Sequence, residues 1–333
     1  MVKKFSAGTN LMSKSKVLLV GEAVLHPSIL NLAKDRIDFI EIIPSELTQK
    51  LIEIEGISAL WIHFDTFLDA NFLEKIKKIP FLVSTTTGLT HIAKEIQDFY
   101  GPNLISLQNR TDFLSRISST AEHAWLLIML WQNNLYVSLD SVKNGYWNRR
   151  DFFRVQQLAG KTLGIIGFGR LGKILAKYGA SFSMNILIYE KEEKAISQAK
   201  NQNLKVVKSI NELIAKSDIV SIHASYTSDQ SPIITQNALS AITKPILLVN
   251  TARGGLVDED AIIQEIKMQP YLHYYTDVLK HEEDGSRLEN SNLWKFSINN
   301  ERIKITPHIG GANHEAAFLC EKELLEILIK KLF

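Results

Sequence analysis

Twice along this chain short β-type runs alternate with helical patterns, and no other feature constrains the fold as strongly. The first series reads KVLLVG, IDFIEII, ALWIHF, FLVSTT and LISLQ between residues 16 and 108, with segments such as HPSILNLAK and NFLEKIKKI in between. The second starts after residue 160 with TLGIIG, NILIYE, LKVVK, DIVSIHA, ILLVN and LHYYTD. Strands separated by helix-length connections imply βαβ units and parallel sheets covered on both faces. The pattern therefore predicts an α/β protein with two doubly wound parallel-sheet domains, and 333 residues suffice for two cores.

Between the series a long helix is predicted from Ser119 to about Leu139, followed by the turn-like KNGYWNRRD. The last segment, NHEAAFLCEKELLEILIKKLF, has helical apolar spacing, with Lys330 and Lys331 placed where cations suit the helix dipole. It brings no strand of its own, so it is expected to pack back on the first series. The expected domains are residues 1–115 with 312–333, and residues 116–311. The most apolar helix segment, AWLLIMLW at 124–131, falls far short of the roughly 20 residues a bilayer crossing needs and reads as a buried helix.

The 38 basic and 36 acidic side chains are interspersed and leave a formal charge of +2, with no basic stripe of the kind that follows a phosphate backbone. Neither nucleic acid nor a membrane is expected as a partner. A single cysteine, Cys320, excludes an intrachain disulfide and any multi-cysteine zinc site, and it fits a reducing compartment. The N-terminal stretch has basic residues but no apolar core of signal-peptide length, and Met12 is an alternative start. A cytoplasmic protein without a metal is the expectation.

Residues 165–172 read IIGFGRLG, directly behind an apolar run and ahead of the helical KILAKYGA. Glycine-rich turns join strands to helices in many folds, so the spacing alone says little. In a strand-turn-helix setting it makes physical sense: Gly167 permits the tight turn, Gly169 lets the backbone approach a pyrophosphate, and Gly172 lets helix and strand pack closely. The helix N-terminus presents unpaired amide donors to that anion. Eighteen residues after Gly172, NILIYE ends in Glu190, near where an acid accepts hydrogen bonds from an adenosine ribose and repels a 2′-phosphate. NAD is thus expected over NADP.

Further motifs follow in order: SDIVSIHAS, ILLVNTARGGLVDEDAI, YYTDVLKHEED and IKITPHIGGANHEA. With STTTGLTHI at 84–92, STAEHAW at 119–125 and LAGKTLGIIGFGRLGK, the series resembles the NAD-dependent D-isomer-specific 2-hydroxyacid dehydrogenases, the family that includes phosphoglycerate dehydrogenase. The resemblance runs from about residue 80 to 315. It implies a Rossmann cofactor domain inserted in a flavodoxin-like substrate domain.

It also implies roles residue by residue. The family's catalytic arginine falls on Arg253, its catalytic acid on Glu282, five residues after the aspartate of its D-V pair, and its histidine on His308, after T-P. A guanidinium suits a 2-oxo acid's carboxylate and carbonyl oxygens through its planar fork of donors. An imidazole can give a developing alkoxide its proton, and a carboxylate on its far nitrogen fixes the tautomer and raises the pKa. Arg170, Leu171, His223, Thr251 and Ala252 fall on cofactor-lining positions, and Asp277 falls where the family contacts the nicotinamide carboxamide. Thr86, Thr87 and Gly88 resemble a loop whose backbone amides bind the substrate carboxylate, with Arg253 and His308 as its partners. The helix around Trp125 to Trp131 resembles a dimerisation region, so a homodimer is implied.

Two positions depart from the family's pattern: Glu283 stands where a proline usually follows the catalytic glutamate, and Ser225 replaces the proline of an H-x-P turn. Taken singly, Arg253 also reads as an exposed loop arginine, Glu282 as one of three consecutive acids on a solvated hairpin, and His308 as a histidine at a helix start. His26, His63 and His91 read as ordinary structural histidines. Two other functions stand beside the dehydrogenase: a formate-oxidising relative, which pairs its histidine with glutamine instead of Glu282, and a non-catalytic NAD(H)-sensing protein on the same fold.

Overall fold

A computed structural model describes residues 14–21, 25–153, 156–227, 229–280, 282 and 288–333. Met12 and Glu283 lie outside the described residues. The chain divides into two compact units, one comprising the described residues up to Arg110 together with Ala317–Phe333, the other Thr111–Ala316.

The first unit is built on five parallel strands, β1 (Ser15–Val20), β2 (Ile37–Ile42), β3 (Ile57–Ile62), β4 (Phe81–Ser84) and β5 (Leu104–Ile105), in the order β2-β1-β3-β4-β5. This is the flavodoxin-type order, with its switch point between β1 and β3. The terminal helix His314–Leu332 contributes buried Leu324, Leu325 and Leu328. Glu321 on that helix accepts a hydrogen bond from the backbone N–H of His26 at 2.8 Å.

The second unit has seven parallel strands: β6 (Thr162–Ile166), β7 (Asn185–Tyr189), β8 (Lys205–Val206), β9 (Ile219–Ile222), β10 (Ile246–Asn250), β11 (Leu272–Thr276) and β12 (Ile303–Ile305). Their order is β12-β11-β10-β9-β6-β7-β8, so the order in which strands are added reverses between β6 and β9, the arrangement of a Rossmann fold. The strands are apolar on both faces because both are covered. In β10, Ile246 and Leu248 join one core cluster while Leu247 and Val249 join the cluster on the opposite face.

Three local expectations need correction. The stretch from Ser119 is two helices, Ser119–Gln132 and Leu135–Lys143, because Asn134 between them takes a left-handed conformation with φ of 47° that ends the first. The first of these is half-buried, not buried throughout: Ala124, Leu127 and Ile128 face the core while Leu126 is exposed. The segment IKI is a strand, β12, too short to show a period-2 pattern, and it pairs in register with β11.

Register also explains how distant residues gather. Ile166 pairs with Tyr189 and with Ile222, Ile222 with Asn250, Asn250 with Thr276, and Thr276 with Ile305. The strand ends are therefore level, and Gly167, Glu190, His223, Thr251, Asp277 and Thr306 each follow one of them. Parallel strands put all six at the carboxyl edge of the sheet, where ligands bind in open α/β folds.

Candidate functional site

The glycine loop leaves β6 at Gly167, whose φ of 93° is a left-handed value that a side chain would strain. A Cβ there would also stand 2.7 Å from the backbone of His223 and Ala224. At Gly172 a Cβ would stand 2.1 Å from the carbonyl oxygen of Gly167, so the helix Arg170–Ser181 starts in direct contact with the turn. At Gly169 nothing lies within 4 Å of that position, which leaves the backbone bare. The three glycines thus do three different things: turn, open approach and close packing.

Glu190 folds back onto this loop. Its Oε2 accepts the N–H of Phe168 at 2.6 Å, and Oε1 accepts the N–H of Lys191 and of Glu192. The carboxylate therefore stands beside the glycine turn, fixed by backbone donors, with further lone pairs for an incoming hydroxyl. The guanidinium of Arg170 turns the other way and donates to the carbonyls of Leu114 and Ile117, so this side chain secures the segment ahead of the helix Ser119–Gln132. Leu171 is half-buried in the first turn.

Two polar atoms at the same edge are buried without a hydrogen-bond partner, Nδ1 of His223 and Oγ1 of Thr251. Orphaned buried groups are rare in native structures and mark places where a ligand or water completes the bonding. His223 holds its other nitrogen 2.9 Å from Ser221, and Ala252 donates its N–H to the Asn250 side chain. A bare glycine turn, a helix N-terminus, an acid at the second strand and two unsatisfied polar atoms fit a dinucleotide.

The histidine, glutamate and arginine expected to carry the chemistry come from three loops of this unit. Nδ1 of His308 stands 3.0 Å from Oε1 of Glu282, with both side chains partly shielded from water. Glu282 is in turn oriented by the N–H of Leu279, which donates to Oε2 at 3.1 Å. Burial by itself lowers the His308 pKa and the positive charge of Arg253 lowers it too, but the bond to Glu282, its charge and that of Asp277 outweigh both, so the imidazole titrates above its ordinary value. Arg253 follows β10 in extended conformation and donates from its guanidinium to the carbonyl of Ala252. Next to it, a Cβ on Gly254 would stand 2.0 Å from the backbone of Leu279, so the arginine loop touches the segment that follows β11 and leads to Glu282.

His308 is not at a helix start. It sits in the loop after β12 with φ of 52°, and the helix begins at His314. For a histidine that conformation costs roughly 1 to 3 kcal/mol, and strain of this kind persists where neighbours over-determine it. Asp277, only 2 % exposed, is one such neighbour: it accepts from the Thr306 hydroxyl at 2.5 Å and from the N–H groups of Ile309 and Gly310 at 2.9 and 2.7 Å. These bonds, with one from His123, hold its carboxyl below the usual range although burial works in the opposite direction. Its observed contacts are thus with the His308 loop.

One participant escaped sequence reading. Glu259, at the start of the helix Glu259–Met268, is buried, and it accepts the N–H of Lys280 at 2.7 Å. Burial raises its carboxyl to about 7, assisted by the charges of Asp260 and Glu282 and opposed by Lys280. The acidic first turn in VDEDAI reads as helix-dipole compensation, so nothing in the sequence marks Glu259 as an anchor of the segment around Lys280.

In the first unit, Thr86, Thr87 and Gly88 follow β4. The Thr86 hydroxyl donates to the Gly88 carbonyl at 2.6 Å and lies 3.0 Å from Ser84, which is 3.2 Å from His91. His91 is thus a bonded core histidine, and His26 caps the helix Pro27–Ala33 by accepting the N–H of Ser28. Buried His63 has Nδ1 3.4 Å from Thr85 and no partner at Nε2. Among the described residues no group of His, Cys, Asp and Glu is arranged to hold a metal ion, and no helix is long and apolar enough to cross a membrane.

The chain is similar in sequence and fold to a group of known proteins. Residues 125–310 match the family model "D-isomer specific 2-hydroxyacid dehydrogenase, NAD binding domain". The chain is 29% identical to a glyoxylate reductase of Pyrococcus furiosus over 80% of this chain and 77% of that protein. It is 25% identical to the D-3-phosphoglycerate dehydrogenase of Mycobacterium leprae over 90% of this chain, and it spans about half, 54%, of that longer protein. A D-lactate dehydrogenase of Aquifex aeolicus, solved with NAD and lactic acid, superposes with a TM-score of 0.76 over 95% of both chains at 22% identity, which shows a common fold. The chain belongs to the D-isomer specific 2-hydroxyacid dehydrogenases, an NAD-dependent enzyme family whose NAD-binding domain it carries at residues 125–310.

Proposed function

We propose that this protein interconverts a small 2-oxo acid and the corresponding D-2-hydroxy acid, with His308 as the proton donor and acceptor. The observation that carries the reading is the His308–Glu282 pair at 3.0 Å, held at the same sheet edge as the glycine loop. When bound, NADH supplies the hydride for the carbonyl carbon. Glu282 occupies Nδ1 of His308, so Nε2 delivers the proton to the oxygen as it becomes an alkoxide. One proton leaves the imidazolium and one hydroxy acid forms; in the other direction the neutral ring takes the proton back. Arg253 binds the carboxylate and carbonyl oxygens, and the backbone amides of Thr86, Thr87 and Gly88 also take the carboxylate.

For the cofactor, Gly167, Gly169, Arg170, Leu171 and Gly172 receive the pyrophosphate by backbone. Glu190 receives the adenosine ribose, and His223, Thr251, Ala252 and Asp277 line the nicotinamide end. Glu190 also favours NAD over NADP. Following absorbance while NADH is mixed with glyoxylate, pyruvate and hydroxypyruvate tests the activity; no turnover with any 2-oxo acid, together with intact NADH binding, would favour a sensing protein. Relatives act on glyoxylate, phosphoglycerate and lactate by name, so these chemistries frame the panel.

Reduction needs imidazolium, so its rate falls as pH rises through the His308 pKa. Glu282 holds that pKa up. The Glu282→Gln variant should therefore lose reductive activity at lower pH than the natural enzyme, while oxidation, which needs the neutral ring, gains at its acid limb. An unshifted pH–rate profile for both directions would exclude the coupling.

We infer a cytoplasmic protein, in keeping with its lone cysteine, and a homodimer. The helix Leu135–Lys143 buries none of its residues, and beyond it Trp147 and Phe153 are 89% and 71% exposed. A cluster of large apolar side chains in water marks an interface. Sedimentation of the purified chain should give twice the monomer mass, and Leu139→Glu should reduce it to one copy.

A further inference from the structure

The loop that carries His308 runs from Thr306 to Gly310 without regular structure, and its hydrogen bonds converge on two side chains. Asp277 receives three of them at its carboxylate, and its carbonyl receives the N–H of His308 at 2.9 Å. His123, on the helix Ser119–Gln132, brings Nε2 to 2.9 Å from Oγ1 of Thr306 and to 3.3 Å from Oδ1 of Asp277. Its Cδ2 also lies 3.5 Å from where a Cβ on Gly310 would stand, so the ring lies directly against the loop. The side chains are 10% and 1% exposed for His123 and Asp277, and bonds in so dry a setting are little screened.

The proton count orders this cluster. A threonine hydroxyl has one proton to give. That of Thr306 goes to Asp277 at 2.5 Å, so Oγ1 can only accept from His123, and the His123 proton sits on Nε2. The bonds form a directed chain, from the His123 N–H to the Thr306 hydroxyl to the Asp277 carboxylate, where the N–H groups of Ile309 and Gly310, the two residues after His308, also donate.

We propose that His123 is a positioning residue for the reaction: by donating to Thr306 it holds the loop in the left-handed turn that aims the His308 imidazole at Glu282. The inference rests on the acid–base role assigned to His308 above. With the donor gone, Thr306 Oγ1 is left in a shielded place without its bond, and the turn at His308 is free to relax to an ordinary backbone conformation. A shift of about 1 Å in a reacting group suffices for a loss on the order of 100-fold. A histidine that merely fills space would leave rate and imidazole titration alone.

The test compares His123→Leu, which removes the donor, with His123→Gln, whose amide offers an N–H at similar reach, and uses His308→Gln as reference. Steady-state rates are measured with NADH and the best substrate among glyoxylate, pyruvate and hydroxypyruvate. NADH affinity is read by fluorescence. Titration of His308, the signal missing in His308→Gln, is followed by NMR of labelled histidine; the charged groups facing it are Glu282, Arg253 and Asp277.

His123→Leu should lower kcat about 10- to 100-fold, with KM and NADH affinity within about twofold, and should bring the His308 titration down toward that of a free imidazole. His123→Gln should recover most of both. Natural rate and unmoved titration in His123→Leu overturn the proposal, and so does equal impairment of the two variants, since ring shape would then matter and not the donor. Should His123→Leu fail to fold, Thr306→Val against Thr306→Ser puts the same question with the same criteria. If His308→Gln stays active, the acid–base reading fails by itself; the NMR comparison still decides whether His123 positions the ring.

Discussion

Replacing His308 by glutamine should lower turnover of a 2-oxo acid by about 10²- to 10⁴-fold while NADH still binds. Glutamine keeps the polarity and approximate reach of the imidazole but carries no proton it can give up near neutral pH. The barrier then lacks its proton transfer, and only orientation and the charge of Arg253 remain. Binding is spared because the glycine loop, Glu190 and Thr251 lie after other strands and owe nothing to this ring. Stability should change little, since the left-handed backbone at residue 308 is strained for either side chain and the bond to Glu282 is partly exposed. Turnover within tenfold of the natural enzyme, with NADH saturating, would remove His308 from the mechanism.

A second large effect is expected at Gly172. The methyl of Gly172→Ala would be driven to 2.1 Å from the Gly167 carbonyl, and because that neighbour is backbone, no side-chain adjustment can relieve it. The helix Arg170–Ser181 must withdraw from β6, at a cost of about 1 to 3 kcal/mol for overpacking. The same movement pulls the helix N-terminus away from the turn it serves, so NADH affinity should fall by more than tenfold. Gly169→Ala supplies the contrast. Nothing lies within 4 Å of its new methyl and its backbone is ordinary, so stability should hold to about 0.5 kcal/mol. Yet NADH affinity should drop, because the methyl occupies the bare approach to the turn. Thermal unfolding and fluorescence titration of the two variants separate these outcomes; a Gly169→Ala protein that binds NADH normally would refute the assignment of the phosphate site.

Much of this architecture is readable along the chain because its cause is local. The strands that were expected all form, since apolar runs such as ILLVN and DIVSIHA are long enough to show burial on both faces. The turn at Gly167 is legible because the torsion it needs is one that side chains disfavour, and the spacing to Gly172 because a backbone oxygen blocks any Cβ there. Where local cause weakens, so does reading: IKI offers three residues, too few for a period, and the asparagine that ends the helix at 134 looks like any other polar residue.

The residues proposed to handle the proton are visible in sequence only by resemblance, and their partners hardly at all. His123 and Thr306 are 183 positions apart, and no periodicity connects a helix residue in STAEHAW with a loop residue in ITPHIGG. Glu259 reads as an N-terminal helix acid, yet burial and the N–H of Lys280 make it an anchor of the segment that follows β11. Local propensity and steric exclusion are properties of neighbours along the chain, and they settle the strands, the glycine turn and the fold class. Which distant donor meets which acceptor depends on strand register and on what the packed helices shut away from water, and those exist only after the sheet has closed.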